Sequence, residues 1–295
     1  MRGGRGSRRS PDPPLKKEPL MTIPQRLLGR TGVSVTLLGL GGEGILRTYG
    51  QEPQAQAVIH AALDAGINYF ESARAYSGSE AYLGRGLKGH RDKIFLTSKS
   101  HARTRTEAEA HLHTTLTNLD TDYLDLWQVH DVRTYDELEA LAAAGGALEV
   151  FHKAKKEGKV RFIGVTGHHD PQVLRRALDL FEFDTILLPV NPAESHHRSF
   201  LPLAQEALAR GLGVIGMKVL CRGMLPQLRM APLRSILAYA LSQAVSLVVV
   251  GADSVPQVLE LAAAARDFQP MPEESQRHLE KTVASFARRL MYYKP

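Results

Sequence analysis

The 295-residue sequence has one cysteine, Cys221, one tryptophan, and only 6% aromatic residues. A lone thiol excludes a disulfide scaffold and any zinc or iron–sulfur site built from cysteine alone. No uninterrupted apolar run approaches the roughly 18 residues of a membrane-spanning helix, which excludes an integral membrane protein. The N-terminus lacks the apolar stretch of a signal peptide, and Arg2 excludes an N-myristoyl glycine. A cytoplasmic location is the expectation.

What the chain does have is positive charge, +6 overall with a pI near 9.4. Residues 1–20 hold Arg2, Arg5, Arg8, Arg9, Lys16 and Lys17 against Asp12 and Glu18, which accounts for +4 of that total. The segment is rich in Gly, Pro and Ser, lacks a periodic apolar face, and is expected to be a disordered basic tail. It reads as a solvated leader or as a start placed upstream of Met21. No specific nucleic-acid partner is expected.

From residue 21 to 295 one domain is expected. Eight short apolar runs recur about every 30 residues, the size of a βαβ unit: Thr36–Gly41, Asn68–Glu71, Ile94–Ser98, Tyr123–Val129, Val160–Thr166, Thr185–Val190, Gly213–Met217 and Leu247–Val250. Each is too short for a helix and fits a strand buried on both faces. Helix-period segments lie between them. Asp170 before Pro171 reads as an N-cap followed by proline at the first helical position. Thr106 with Glu109 reads as a capping box. The segment Asp136–Gly158 is broken at Gly145-Gly146.

Eight strand–helix pairs without a composition break predict an α/β fold, a (β/α)8 TIM barrel. An open doubly wound sheet is the competitor; Gly39, Gly41 and Gly44 have GxGxxG spacing, but the first two fall inside the apolar run Thr36–Gly41 and not after it, where that fold's fingerprint belongs. Gln25–Leu28 and Val33–Val35 flank Gly29–Gly32 as an N-terminal β-hairpin, plugging the N-terminal end of the barrel. Pro272–Arg289 reads as a C-terminal extra helix.

Active sites of such barrels gather at the C-terminal ends of the strands. There the sequence places Glu71 and Tyr76, Lys99, and His130 after strands two, three and four. A phenol titrates near pH 10 and donates a proton slowly at pH 7, and an adjacent ammonium would lower that value. A carboxylate would hold the ammonium, and the histidine would polarise a substrate oxygen or relay the proton.

The stretches GINYFESARAYSGSEAYLG (66–84), LTSKS (96–100) and DYLDLWQVHD (122–131) resemble the signature stretches of the aldo-keto reductases. GKVRFIGVTGHHDPQVL (158–174) and VVGADSVPQVLEL (249–261) resemble that family's fifth- and eighth-strand segments. The resemblance implies a tetrad of Tyr76, Lys99, His130 and Glu71, with Glu71 standing where the family usually has Asp. It implies reduction of a small-molecule aldehyde or ketone with NADPH lying across the barrel mouth. Thr166 would hold the nicotinamide carboxamide. Gly167 replaces the usual Asn, leaving one hydrogen bond absent or supplied by His168.

By the same resemblance Met217 faces the nicotinamide, and the loop after it, with Lys218, Leu220, Arg222 and Gly223, covers the pyrophosphate. Asn191 and Ser254 join the cofactor contacts. Gly251 and Gln257 fall where relatives carry cations for the 2′-phosphate, so NADH is not excluded. Glu260 matches an adenine-contacting acid, while Leu261 replaces the usual Asn. Ile45, Leu46, Tyr49 and Tyr135 are the expected substrate-selecting positions, and the C-terminal MYYKP is short for a covering tail. No metal site is expected.

Three other readings remain open at this point. A catalytically weak NAD(P)H-binding regulatory subunit is permitted by Glu71, Gly167 and Leu261, because a fold does not imply a function. A metal-dependent hydrolase is suggested by His101, His130, His168, His169, His196 and His197, although the first strand ends without a His-x-His. A Schiff-base aldolase would use Lys99, whose neighbouring carboxylate instead favours the protonated amine.

Overall fold

Each of the eight apolar runs forms a parallel strand, and the eight close on themselves. The computed structural model describes residues 22–295; the basic tail expected at 1–20 lies outside the described residues. The hairpin strands are β1 (Gln25–Leu27) and β2 (Ser34–Thr36). The barrel strands are β3 (Leu38–Gly44), β4 (Tyr69–Glu71), β5 (Phe95–Ser100), β6 (Leu124–Val129), β7 (Val160–Thr166), β8 (Thr185–Pro189), β9 (Gly213–Met217) and β10 (Leu247–Ala252). They pair in chain order, and β10 closes onto β3.

The helices are α1 (Glu52–Asp64), α2 (Ser79–Gly86), α3 (Arg105–Asn118), α4 (Tyr135–Ala142), α5 (Leu148–Lys156) and α6 (Pro171–Leu180). They continue as α7 (Leu201–Ala209), α8 (Met224–Gln227), α9 (Leu233–Leu241), α10 (Val255–Arg266), α11 (Glu273–Val283) and α12 (Ala287–Leu290). Asp170 caps α6 through the Gln172 amide, with Pro171 as its first residue. The capping box of α3 sits two residues earlier than the sequence suggested, at Thr104 and Glu107. Two T-x-x-E frames overlap here, and only the first has its threonine in the extended conformation that an N-cap needs. The expected single C-terminal helix is broken by a 3-10 turn at Ala284–Phe286.

Side chains alternate along a strand, and this period of two builds the site. Tyr69, Phe95 and Leu126 join Leu187, Ile215, Leu247 and Val249 in an apolar layer inside the barrel. Two residues further up, the same inward rows carry Glu71, Thr97 and Gln128, and the next step reaches Lys99 and His130. The rows climb from an apolar floor to a polar mouth.

The hairpin seals the opposite end. Leu28 is fully buried with that interior layer and packs on Gly213, where a Cβ would lie 2.6 Å from Leu28 Cδ1. Gly29 has φ +52, and a Cβ there would lie 2.2 Å from the Gly213 nitrogen, so neither handedness nor space admits a side chain. Arg26 and Arg30 then donate to the carbonyls of Leu241, Val245 and Phe183, tying the hairpin to the loops between helices and strands.

Candidate active site

The loop after β4 carries Tyr76 and is fastened to β5 by backbone bonds from Ser72 to Thr97 and from Arg74 to Lys99, each 2.9 Å. Beneath it Glu80, 1% exposed, accepts from Ser98 Oγ, Thr115 Oγ1 and Asn118 Nδ2 and pairs with Arg74. This hub explains the polar SGSE run after Tyr76, since a buried carboxylate persists only when fully bonded.

The four sequence-derived residues converge. Lys99 Nζ lies 2.7 Å from Glu71 Oε1 and 2.9 Å from the Ser72 carbonyl, with both charged side chains buried. The ammonium stands 4.8 Å from the centre of the Tyr76 ring, and His130 meets that ring edge-on at 5.8 Å. Glu71 therefore reaches the lysine despite its extra methylene.

The electrostatics differ from expectation in one respect. Burial, followed by Glu71 and Glu43, raises Tyr76 well above the ordinary phenol value. Lys99 does not reverse this because its charge is already matched by Glu71; burial pulls Lys99 below the usual lysine value and Glu71 opposes the shift. Burial, reinforced by Lys99, holds His130 well below the usual histidine value, so its imidazole is neutral at pH 7. The arrangement is a protonated phenol flanked by a buried cation and a neutral imidazole.

Above this group opens a cavity of about 480 Å³, lined by Tyr76, His130, His168, Lys218 and Arg222 among others. Of its remaining walls, Arg47, Asp131 and Arg133 escaped the sequence reading as site residues, whereas His169 and the C-terminal MYYKP were named there. Arg47 lies 4.8 Å from the Tyr76 ring centre on one side, Asp131, Arg133 and His169 form another, and residues 292–295 close a third. The short C-terminal segment thus does cover the mouth. Tyr293 and Lys294 bond the two oxygens of buried Glu194 at 2.6 Å each. Asn191 is drawn into the same network, donating to Tyr293 Oη and to the Lys218 carbonyl, which leaves its amide engaged within the protein.

The four positions expected to select substrate do not line this cavity. Leu46 is fully buried in the outer core and Ile45 packs beside it, while Tyr49 and Tyr135 are 77% and 51% exposed. The 3-10 turn at Ile45–Arg47 directs its apolar residues to the core and Arg47 to the mouth.

A second cavity of about 940 Å³ continues from the first and shares Glu43, Lys218 and Arg222 with it. Leu220, Gly223, Gly251, Gln257 and Glu260 line it, together with Arg229, a cation the sequence reading missed. Thr166, Gly167, Met217 and Ser254 line neither cavity. Thr166 Oγ1 accepts from the Asp131 amide, placing it in the turn below the mouth. A Cβ on Gly167 would lie 2.7 Å from the Val132 carbonyl, and one on Gly251 only 2.8 Å from Glu43 backbone carbon. Those close approaches account for glycine at both positions.

The larger cleft suits an extended dinucleotide diphosphate. Lys218, Arg222 and Arg229 supply positive charge on its wall, where Glu43, Asp253 and Glu260 also stand. Among histidines and acids, Asp131, His168 and His169 bring potential ligand atoms within 4.8 Å of one another. Among the described residues, no helix is long and apolar enough to cross a membrane.

A closed barrel with a Tyr–Lys–His–carboxylate group at its C-terminal mouth defines a class of barrel oxidoreductases. The model of the aldo/keto reductase family matches residues 37–235, and the chain belongs to that family. It is similar to L-galactose dehydrogenase of Arabidopsis thaliana, 27% identical over 298 residues, covering 84% of this chain and 90% of the relative. An aldo-keto reductase of Bacillus halodurans, solved in a holo form, superposes with a TM-score of 0.75 at 25% identity, covering 89% of this chain and 96% of that one. An aldo-keto reductase of Klebsiella pneumoniae in complex with NADPH shares the fold, with a TM-score of 0.69 at 22% identity over 87% and 94% of the two chains.

Proposed function

We propose that this oxidoreductase interconverts a carbonyl and an alcohol on a small molecule with NADPH, with NADH as the weaker alternative. The observation that carries the reading is the buried Lys99–Glu71 pair under Tyr76, beside His130, at a mouth that continues into a cleft presenting Lys218, Arg222 and Arg229. The solved relative in complex with NADPH supports the cofactor assignment. When bound, the reduced nicotinamide supplies a hydride.

The chain's own residues manage the oxygen and its proton. Tyr76, protonated at neutral pH, donates to the substrate oxygen. His130, neutral, donates a hydrogen bond that orients and polarises the same oxygen. The phenolate left on Tyr76 is stabilised by the charge of Arg47 until a proton returns, with the Lys99 ammonium matched by Glu71. Glu71 is a positioning residue that keeps Lys99 charged in a buried place. Lys218, Arg222 and Arg229 would hold the diphosphate, and Gln257 and Glu260 would lie along the adenosine end. The engaged amide of Asn191 makes it a support for the wall and not a direct cofactor contact. Residues 21–295 act as one domain in this reading.

Titration with NADPH and NADH, followed by a panel of aldehydes and ketones, tests the proposal. Tight binding of one nucleotide, with carbonyl-dependent oxidation abolished in Tyr76→Phe, is the expected result. Nucleotide binding without any turnover would assign the chain to the regulatory reading.

A further inference from the structure

Beside the Tyr76–His130 pair is a polar cluster that proton transfer does not use. Asp131 follows His130 directly, and its backbone is held in the left-handed region at φ 55 by a bond from its amide to Thr166 Oγ1. Arg133 takes one carboxylate oxygen, Oδ2, through both Nε at 2.8 Å and Nη2 at 2.6 Å. The other oxygen, Oδ1, is buried, lies 3.4 Å from His168 Nδ1, and has no hydrogen-bond partner among the described residues. His169 Nδ1 is also buried and has no hydrogen-bond partner among the described residues. All three side chains line the mouth cavity.

We propose that Asp131, His168 and His169 form a hydroxyl-recognition subsite, so that the substrate of the reaction proposed above is a neutral, polyhydroxylated carbonyl compound. Each hydroxyl is at once a donor and an acceptor. It can give its proton to Asp131 Oδ1 and receive one from an imidazole, satisfying both orphaned groups together. Burial keeps His168 neutral, with a value lowered to about 4, so this ring offers one donor and one acceptor at pH 7. An unpaired buried polar group is costly to the folded chain. A deoxy substrate would leave that cost in place.

The rest of the cavity agrees. Tyr292 and Tyr293 pack edge-on at 5.2 Å and present ring surface to carbon–hydrogen faces. Among the described residues, Ala75 and Pro295 are its only aliphatic lining, which disfavours a bulky apolar carbonyl. Three of the five Lys and Arg side chains on these walls have close carboxylate partners, Arg133 with Asp131, Arg47 with Glu43 and Lys294 with Glu194, while Lys218 and Arg222 also face the larger cleft. That pairing favours hydroxyl groups over an anionic substituent.

The test uses the full chain with saturating NADPH and compares D-glyceraldehyde with propanal, both corrected for hydration, and with glyoxylate as the anionic control. A site built to bond hydroxyls rejects the analogue lacking them, so glyceraldehyde is expected to exceed propanal in kcat/KM by at least about 100-fold. Asp131→Asn and His169→Phe are each expected to shrink that ratio by about tenfold or more, chiefly through KM. Two independent variants guard against one that merely misfolds. Equal turnover of glyceraldehyde and propanal overturns the subsite while leaving carbonyl reduction standing. A preference for glyoxylate overturns it in favour of an anion site. Stoichiometric zinc that is lost in Asp131→Asn overturns it in favour of a metal. Failure of all three carbonyls to oxidise NADPH overturns the subsite together with the reading it rests on.

Discussion

Lys99 Nζ and Glu71 Oε1 are 2.7 Å apart, and both side chains are almost fully removed from water. Such a pair is weak evidence of stability in itself, yet removing one partner strands the other charge at a cost of about 3–5 kcal/mol. Glu71→Gln is therefore expected to lower both stability and rate, whereas Glu71→Asp keeps the charge and retains most of the rate. Thermal melts and steady-state kinetics on the two variants check this. Equal behaviour of Gln and Asp would show that the charge at 71 is unimportant.

Tyr76→Phe removes the proton donor but leaves the ring that packs between Lys99, Arg47 and His130. A fall in kcat of about 10²–10⁴ is expected, the usual contribution of a positioned acid. The dissociation constant for NADPH is expected to change less than threefold. Fluorescence titration and stopped-flow reduction separate the two effects.

Because Tyr76 holds its proton above the ordinary phenol range, the reductive rate is expected to stay level through neutral pH and decline only above roughly pH 10. Arg47 is the cation that pulls this value down. Removing it raises the phenol further, so Arg47→Met is expected to move the alkaline limb to higher pH. A limb that moves downward would contradict the assignment.

Acid stability follows from the buried histidines. In the unfolded chain His168 takes a proton near pH 6.5, while in the folded protein burial delays this to about 4. Between those values the unfolded state binds more protons, so stability rises with pH there and is lost as pH falls. His130 shifts in the same direction. Melting temperature is expected to drop from pH 6.5 to 4, and His168→Gln to flatten part of that slope.

At the other end of the barrel, Leu28→Ala opens a hole between the hairpin and the interior layer. A loss of about 2–5 kcal/mol is expected for a buried leucine, read by denaturant unfolding. Since the site lies at the opposite mouth, KM is expected to stay near that of the parent.

The strands and the four converging residues were legible because both depend on local pattern. Period-two rows ending in Glu71, Lys99 and His130 fix which side chains share the mouth once the strands are placed. Arg47, Arg133 and Arg229 were not legible, since their directions depend on a 3-10 turn and on loops with positive φ. Tyr293 was hidden for another reason: its partner Asn191 is 102 residues away, and no local pattern announces such a bond. The lowered phenol pKa failed as an expectation because sequence shows a lysine nearby but not the depth at which the pair is buried.

Glu43 stands in the wall of both cavities, 3.1 Å from Arg47 and 3.9 Å from Lys218. A diphosphate entering the larger cleft competes for Lys218, and Glu43 is then left to Arg47, the cation over the Tyr76 ring. Occupancy of one chamber would thereby be felt at the phenol of the other, as a shift in the alkaline limb of the pH profile that is lost when Glu43 is neutralised.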